Sequence, residues 1–311
     1  MEDSKVTVIA ALLGNLALAL CKALAAAITG SAAMLAETFH SAADTGNQIL
    51  LFVGLRLGQR PPDAEHPFGH GKNVYFWAFV VSVMLFSLGG AFSIWEGIHK
   101  LRTPGPTQSP AWAFGVLAAA FVFESISLGV AVRGLQRARS GRSLREYVVD
   151  NRDPTILTVA LEDASALLSI VLAAGGLALA EVTGRVTWDA VASIAIGLVL
   201  VIVTVGLALE NHSLLMGESA PRAVLERILA AARRDPAVAG IEGLRTMHLG
   251  PAALLVVLDV DFRDELSAHD VEIATERLRE AVAEAAGEAG RRRLVVIEPR
   301  RRDIGSPARA A

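Results

Sequence analysis

The sequence is poor in cysteine, aromatic rings and charge, and each shortage excludes something. Cys21 is the one cysteine in 311 residues, so an intrachain disulfide is impossible and a thiolate-rich metal site is ruled out. Aromatics make up 5% and charged residues 20% of the chain, against 53% hydrophobic residues. With a mean hydropathy of +0.46, this excess of Ala, Leu, Val and Gly over charge is the composition of a membrane protein. The sequence has no His-Glu-x-x-His pair, no nucleophile elbow and no phosphate-binding glycine loop. Those absences argue against an intramembrane metalloprotease, a serine hydrolase or a nucleotide-driven enzyme, and no enzymatic activity is expected. The start, Met1-Glu-Asp-Ser-Lys, lacks the basic region of a secretory signal, so the first apolar run is expected to stay as a helix.

The apolar runs predict six membrane helices, at about Val6–Ile28, Ala32–Leu57, Val74–His99, Ala111–Val132, Ile156–Val182 and Trp188–Leu209. Each is long enough to cross a bilayer, which takes roughly 20 apolar residues. Thr29-Gly30-Ser31 reads as a tight turn between the first two, and Pro61-Pro62 closes the second. Short-loop basic residues set the orientation. Arg56, Arg60 and Lys72 flank the second loop and Arg133, Arg137, Arg139, Arg142 and Arg145 crowd the fourth, while the opposite side carries Lys100, Arg102 and Arg185. Both termini are therefore expected in the cytoplasm, in the cell (inner) membrane. The arginine-rich loop reads as a lipid-headgroup determinant, and no nucleic-acid partner is expected.

From about Gly217 the composition becomes that of a soluble unit. Pro221–Arg234 and Ser267–Ala286 pattern as helices, with Ser267 a candidate N-cap and Asp270 three residues on. Leu244–Leu249, Ala253–Phe262 and Leu294–Ile297 read as strands. Helix-strand-strand-helix-strand suggests a small ferredoxin-like α+β domain. The expected organisation is a transmembrane domain over 1–216, a cytoplasmic α+β domain over 217–298 and a disordered tail over 299–311.

Ionisable groups at membrane depth cost roughly 2.5 kcal/mol or more each, so they face a partner or a watery path. His40 and Asp44 are four apart in the second run, on one helix face, with Glu37 a turn earlier. Asp163 sits at a comparable point of the fifth run and supplies a further oxygen. Glu162 lies about 100° round the helix from it, so either joining the same ion or pairing with a polar neighbour is open; the same holds for Glu37. Glu124 within Phe123-Glu-Ser-Ile-Ser127 faces either the cavity or the dimer seam. One imidazole with carboxylates suits zinc and its borderline neighbours, and Mn²⁺, Fe²⁺ and Co²⁺ are compatible. A second constellation, Asp63-Ala-Glu-His66-Pro-Phe-Gly-His70-Gly-Lys72, holds two histidines and a carboxylate in the loop. On spacing alone it is either a metal site or a loop whose histidines bond backbone. His248 and the remaining acids of the tail domain read as solvated face.

His40-Ser-x-x-Asp44 together with Arg56-x6-Asp63-x-x-His66-Pro-Phe-Gly-His70-Gly-Lys72 resembles the cation diffusion facilitator family of divalent-metal transporters. Glu162-Asp163 and Asn211-x-x-Leu-Leu-Met-Gly-Glu218 look like the branch related to the mammalian zinc transporter nine. The resemblance implies a homodimeric antiporter exporting zinc or a similar divalent cation in exchange for protons. It assigns the membrane site to His40, Asp44 and Asp163 and a second site to Asp63, His66 and His70. The family usually carries His or Asp four residues before the fifth-helix Asp, where Val159 stands here. Its cytoplasmic histidines align with Glu242, Asp259, Val296 and Glu298, with His269 retained, so a mainly structural, dimerising domain is expected. A non-transporting membrane metal sensor is the alternative.

Overall fold

A computed structural model describes residues 2–105, 109–139, 155–251, 253–287 and 292–300. They fall into two compact units, the first of residues 2–55, 76–139 and 155–212, the second of residues 56–75 with 213–300. Arg142, Arg145 and all but the first two residues of the expected tail lie outside the described residues.

Helices α1 (Glu2–Thr29), α2 (Ala32–Gly58), α3 (Asn73–Arg102), α4 (Pro110–Arg139), α5 (Thr155–Thr183) and α6 (Thr187–Met216) make the first unit and its margins. Among the described residues four of them, α3 to α6, are long and apolar enough to cross a membrane, and Asn15–Thr29 is a shorter apolar segment. The segment α2 falls short because Glu37, His40, Asp44 and Arg56 interrupt it. The outside of the unit carries large apolar side chains such as Leu20, Leu24, Ile126, Val130, Ile202 and Leu209. Its interior is built from small ones, with Ala25, Ala33, Ala36, Ala113, Ala120 and Ala173 packed round Met34, Leu117, Ile196 and Leu200. Apolar outside and small inside is how helices pack in lipid, where close backbone approach replaces hydrophobic exclusion.

The α3–α6 seam shows the consequence. A Cβ on Gly97 would lie 2.7 Å from the Ala190 carbonyl, and one on Gly197 would lie 2.7 Å from the Gly90 carbonyl. Ser193 Oγ donates across the seam to the Ser93 carbonyl at 2.8 Å. The helix α3 widens to a π turn over Leu85–Ala91 on the way. The turn between α1 and α2 places Gly30 at a φ of 63°, the left-handed position glycine fills without strain. The start of α2 is then capped from another helix. Asp189 of α6 accepts from Ser31 Oγ at 2.5 Å and from the Ala32 and Ala33 amides at 2.8 and 3.3 Å. Lys100 Nζ, 3.2 Å away, pairs with the same carboxylate and also donates to the Gly30 carbonyl.

The second unit runs α7 (Arg222–Ala232), β1 (Val238–Gly250), β2 (Ala253–Phe262), α8 (Ala268–Ala285) and β3 (Arg292–Pro299). The sheet order is β1-β2-β3, antiparallel across the first pair and parallel across the second. Ile228, Val256, Leu258, Val260, Leu278 and Val282 form its core. Ser267 caps α8 in a reciprocal capping box with Asp270, which holds the Asp270 carboxyl below its usual range through the Ser267 hydroxyl and amide. Arg277 of α8 forks onto Asp235 at 2.6 and 2.7 Å.

Three expectations shift. The helices α4 and α6 continue past Val132 and Leu209 to Arg139 and Met216, because an apolar run reports lipid depth and not where backbone hydrogen bonding stops. The strand β1 begins at Val238 instead of Leu244, running through Gly240 and Gly243 by way of register shifts. His248 is not on a solvated face: it is 5% exposed, and its amide donates to the Glu218 carbonyl at 3.0 Å.

Candidate metal centre

Inside the first unit a cavity of about 40 Å³ is lined by Asp44 and Gln48 of α2, Glu124 and Ser127 of α4, and Val159, Glu162 and Asp163 of α5, with Asn15 of α1. Ionisable residues in three apolar runs thus reach one polar space. By the measure in which one water needs roughly 10–15 Å³, it has room for an ion with a water or two.

His40 is buried beside this space. Its Nε2 lies 3.7 Å from Asp44 Oδ2, too far for a hydrogen bond, and neither ring nitrogen has a hydrogen-bond partner among the described residues. Asp44 Oδ1 is buried and equally unpartnered. Asp163 Oδ2 accepts from Ser127 Oγ at 2.8 Å, and Glu162 Oε1 accepts from Asn47 Nδ2 at 3.3 Å. Unpaired nitrogen and oxygen in a dry interior are what a ligand would satisfy. The donor atoms of His40, Asp44, Glu162 and Asp163 do not gather within 4.8 Å of one another in this conformation. They share a neighbourhood without yet forming a closed coordination shell.

Glu37 lies elsewhere. Its Oε2 is 2.9 Å from Lys22 Nζ, both side chains wholly buried, and the same ammonium donates to Ser41 Oγ at 2.7 Å. Lys22 escaped sequence reasoning. A lone cation in Leu20-Cys-Lys-Ala-Leu24 looks like a snorkelling residue, and its partner is 15 positions away on another helix.

The loop triad belongs to the second unit. Asp63, His66 and His70 form the one group of three whose donor atoms all lie within 4.8 Å among the described residues. His70 Nε2 is 2.9 Å from Asp63 Oδ2, the His66 amide donates to Asp63 Oδ1 at 2.6 Å, and the rings sit 4.2 Å apart. The His70 ring and the His66 amide push the Asp63 carboxyl down to about 2. Backbone contact holds the loop in place: a Cβ on Gly71 would lie 2.5 Å from the Leu249 carbonyl oxygen at the end of β1. Two nitrogens and a carboxylate, partly exposed, match the donors of a borderline divalent cation.

Among the described residues the tail-domain positions hold no comparable group. Asp259 is 2.8 Å from Arg245 and 3.6 Å from Arg300, Glu298 is 3.6 Å from Arg245, and His269 is exposed beside Glu272. These acids serve arginines.

The cation efflux transmembrane domain family matches residues 8–216. The human proton-coupled zinc antiporter SLC30A9, mitochondrial, is 35% identical over 243 residues, 78% of this chain and 43% of that protein. Metal tolerance protein C4 of Arabidopsis thaliana is 30% identical over 240 residues, 76% of this chain and 52% of its own. Magnetosome protein MamM of Paramagnetospirillum magneticum is 29% identical over 267 residues, 83% and 77% of the two chains. The chain spans about half the length of the human and Arabidopsis relatives.

Proposed function

The chain belongs to the cation efflux, or cation diffusion facilitator, family, and from that premise we propose that it exports a divalent transition-metal cation, zinc foremost, from the cytoplasm in exchange for protons. The observation that carries this reading is the cavity where Asp44 of α2 meets Glu162 and Asp163 of α5, with His40 3.7 Å from Asp44. His40, Asp44 and Asp163 hold the ion, with Glu162 at their side. Two negative charges and a neutral imidazole balance one M²⁺. Ligands must lose their protons to bind metal, so metal and proton compete for one set of atoms, and that competition is the coupling. The bundle, six spans with both termini cytoplasmic, opens alternately to either side. The α+β unit, ferredoxin-like in its order of elements, joins two copies into a homodimer, and Asp63, His66 and His70 form a second metal site on the cytoplasmic side. That a relative is named as a proton-coupled zinc antiporter supports both the cargo and the counter-ion.

The test is metal-driven proton flux in proteoliposomes. Asp44→Ala and Asp163→Ala should abolish it, and flux surviving either change refutes the site. One observation favours a metal sensor instead: the donor set at ligand spacing is in the loop, outside the long apolar helices. Zinc binding by the purified protein without movement into vesicles would select that reading.

A further inference from the structure

One carboxylate in the cavity wall has no part in the exchange described above. Glu124 of α4 is 8% exposed, faces the same space as Asp44, Glu162 and Asp163, and receives no hydrogen bond from any described residue. A carboxylate in a dry interior is costly unless something positive or hydrogen-bonding meets it. Ser127, one turn further along α4, is already committed to Asp163, and the other acids across the space are acceptors once ionised. Val159, one turn before Asp163, also lines the cavity and offers no donor atom. What satisfies carboxylates from three helices around one small space is a cation.

We propose that Glu124 is a ligand of the transported cation, so that α4 joins α2 and α5 at the ion. The inference rests on the transport reading and deepens it. It also bears on the cargo. The ligand atoms facing the cavity are oxygens, from Asp44, Glu124, Glu162 and Asp163, while His40 adjoins through Asp44 and is not part of the wall. A set with at most one nitrogen accepts Mn²⁺ alongside Zn²⁺.

Uptake of Zn²⁺ and of Mn²⁺ into proteoliposomes of the full chain tests this, comparing the parent with Glu124→Gln, Val159→His, the two combined, and Asp163→Asn. The parent should move both metals. Glu124→Gln should raise the half-saturating concentration of each by about tenfold or more, with thermal unfolding in chelator unchanged and the stabilisation given by added Zn²⁺ reduced. Val159→His, which adds an imidazole one turn from Asp163, should restore Zn²⁺ but not Mn²⁺ uptake to Glu124→Gln. Parent-like uptake of both metals by Glu124→Gln, with Asp163→Asn inactive, overturns the inference and leaves the transport site standing. Parent-like uptake by Asp163→Asn as well removes the transport site itself. Should Glu124→Gln not fold, Val159→His alone decides: a shift of about tenfold toward Zn²⁺ over Mn²⁺ supports an oxygen set, and an unchanged ratio refutes it.

Discussion

Lys22 of α1 and Glu37 of α2 form an ion pair at 2.9 Å with both side chains wholly buried, one turn before His40. The ammonium also holds Ser41 Oγ, the residue next to His40. A fixed positive charge is thereby set beside the cavity wall without occupying the ion's place, and α1 is tied to the turn of α2 that carries the ligands.

Breaking a buried pair from one side strands the other charge, at a cost of about 3–5 kcal/mol. Lys22→Met should therefore lower thermal stability in detergent far more than removing one exposed lysine. Lys22→Met with Glu37→Gln should recover most of the loss, since no unpaired charge is left. Equal destabilisation by the single and double variants would show that shape, not charge, matters here.

Asp189 makes the corresponding prediction at the start of α2, about one turn before Glu37. It caps the Ala32 and Ala33 amides and neutralises Lys100. Asp189→Ala should cost about 1 kcal/mol for the cap and about 3–5 kcal/mol for the stranded cation. Adding Lys100→Met should return the second part only, which thermal unfolding of the three proteins would separate.

Ionisable residues within apolar runs were legible because they break the pattern that surrounds them, and His40, Asp44, Glu162 and Asp163 all stand out this way. Their partners were not legible. Asp189 looks like a helix start on its own chain, and its role in capping α2 spans 157 positions. Glu124 stood out as odd, but only the fold shows which space it faces. In the second unit the order of elements follows from periodicity. The facing of His248 does not, because the register shifts in β1, one of them between His248 and Gly250, break the alternation that facing is counted from. The loop triad was visible as spacing, whereas its contact with β1 depends on glycines whose purpose appears only when two backbones meet.

At the loop, the Asp63 carboxyl is ionised well below neutral pH. Asp63 is held at about 2 by the His70 ring and the His66 amide, below the roughly 3.9 of a free aspartate. The contribution of those contacts to stability is present above about 3.9 and is lost only as pH falls through about 2. Between pH 5 and 8 the carboxylate does not titrate. Zn²⁺ binding at the loop therefore displaces no proton from Asp63 in that range. Asp63→Asn should lower affinity at every pH there and leave the slope of log affinity against pH unchanged. Calorimetric titration across that range checks this, and a slope altered by Asp63→Asn would refute the assignment.

The loop is held by a backbone contact that tolerates no side chain. A Cβ at Gly71 would sit 2.5 Å from the Leu249 carbonyl oxygen and 3.1 Å from Gly250 Cα. Neither atom can rotate away, so Gly71→Ala must move the loop off the end of β1. Overpacking of this kind costs about 1–3 kcal/mol. The displacement should also weaken Zn²⁺ binding at Asp63, His66 and His70 by about tenfold or more, as loss of ligand support does. Gly240→Ala is the control, because its nearest neighbour is Glu242 Oε1 at an ordinary 3.5 Å, and it should leave loop affinity alone. If Gly71→Ala bound zinc at the loop as the parent does, the β1 end would be a neighbour of the triad and not its support.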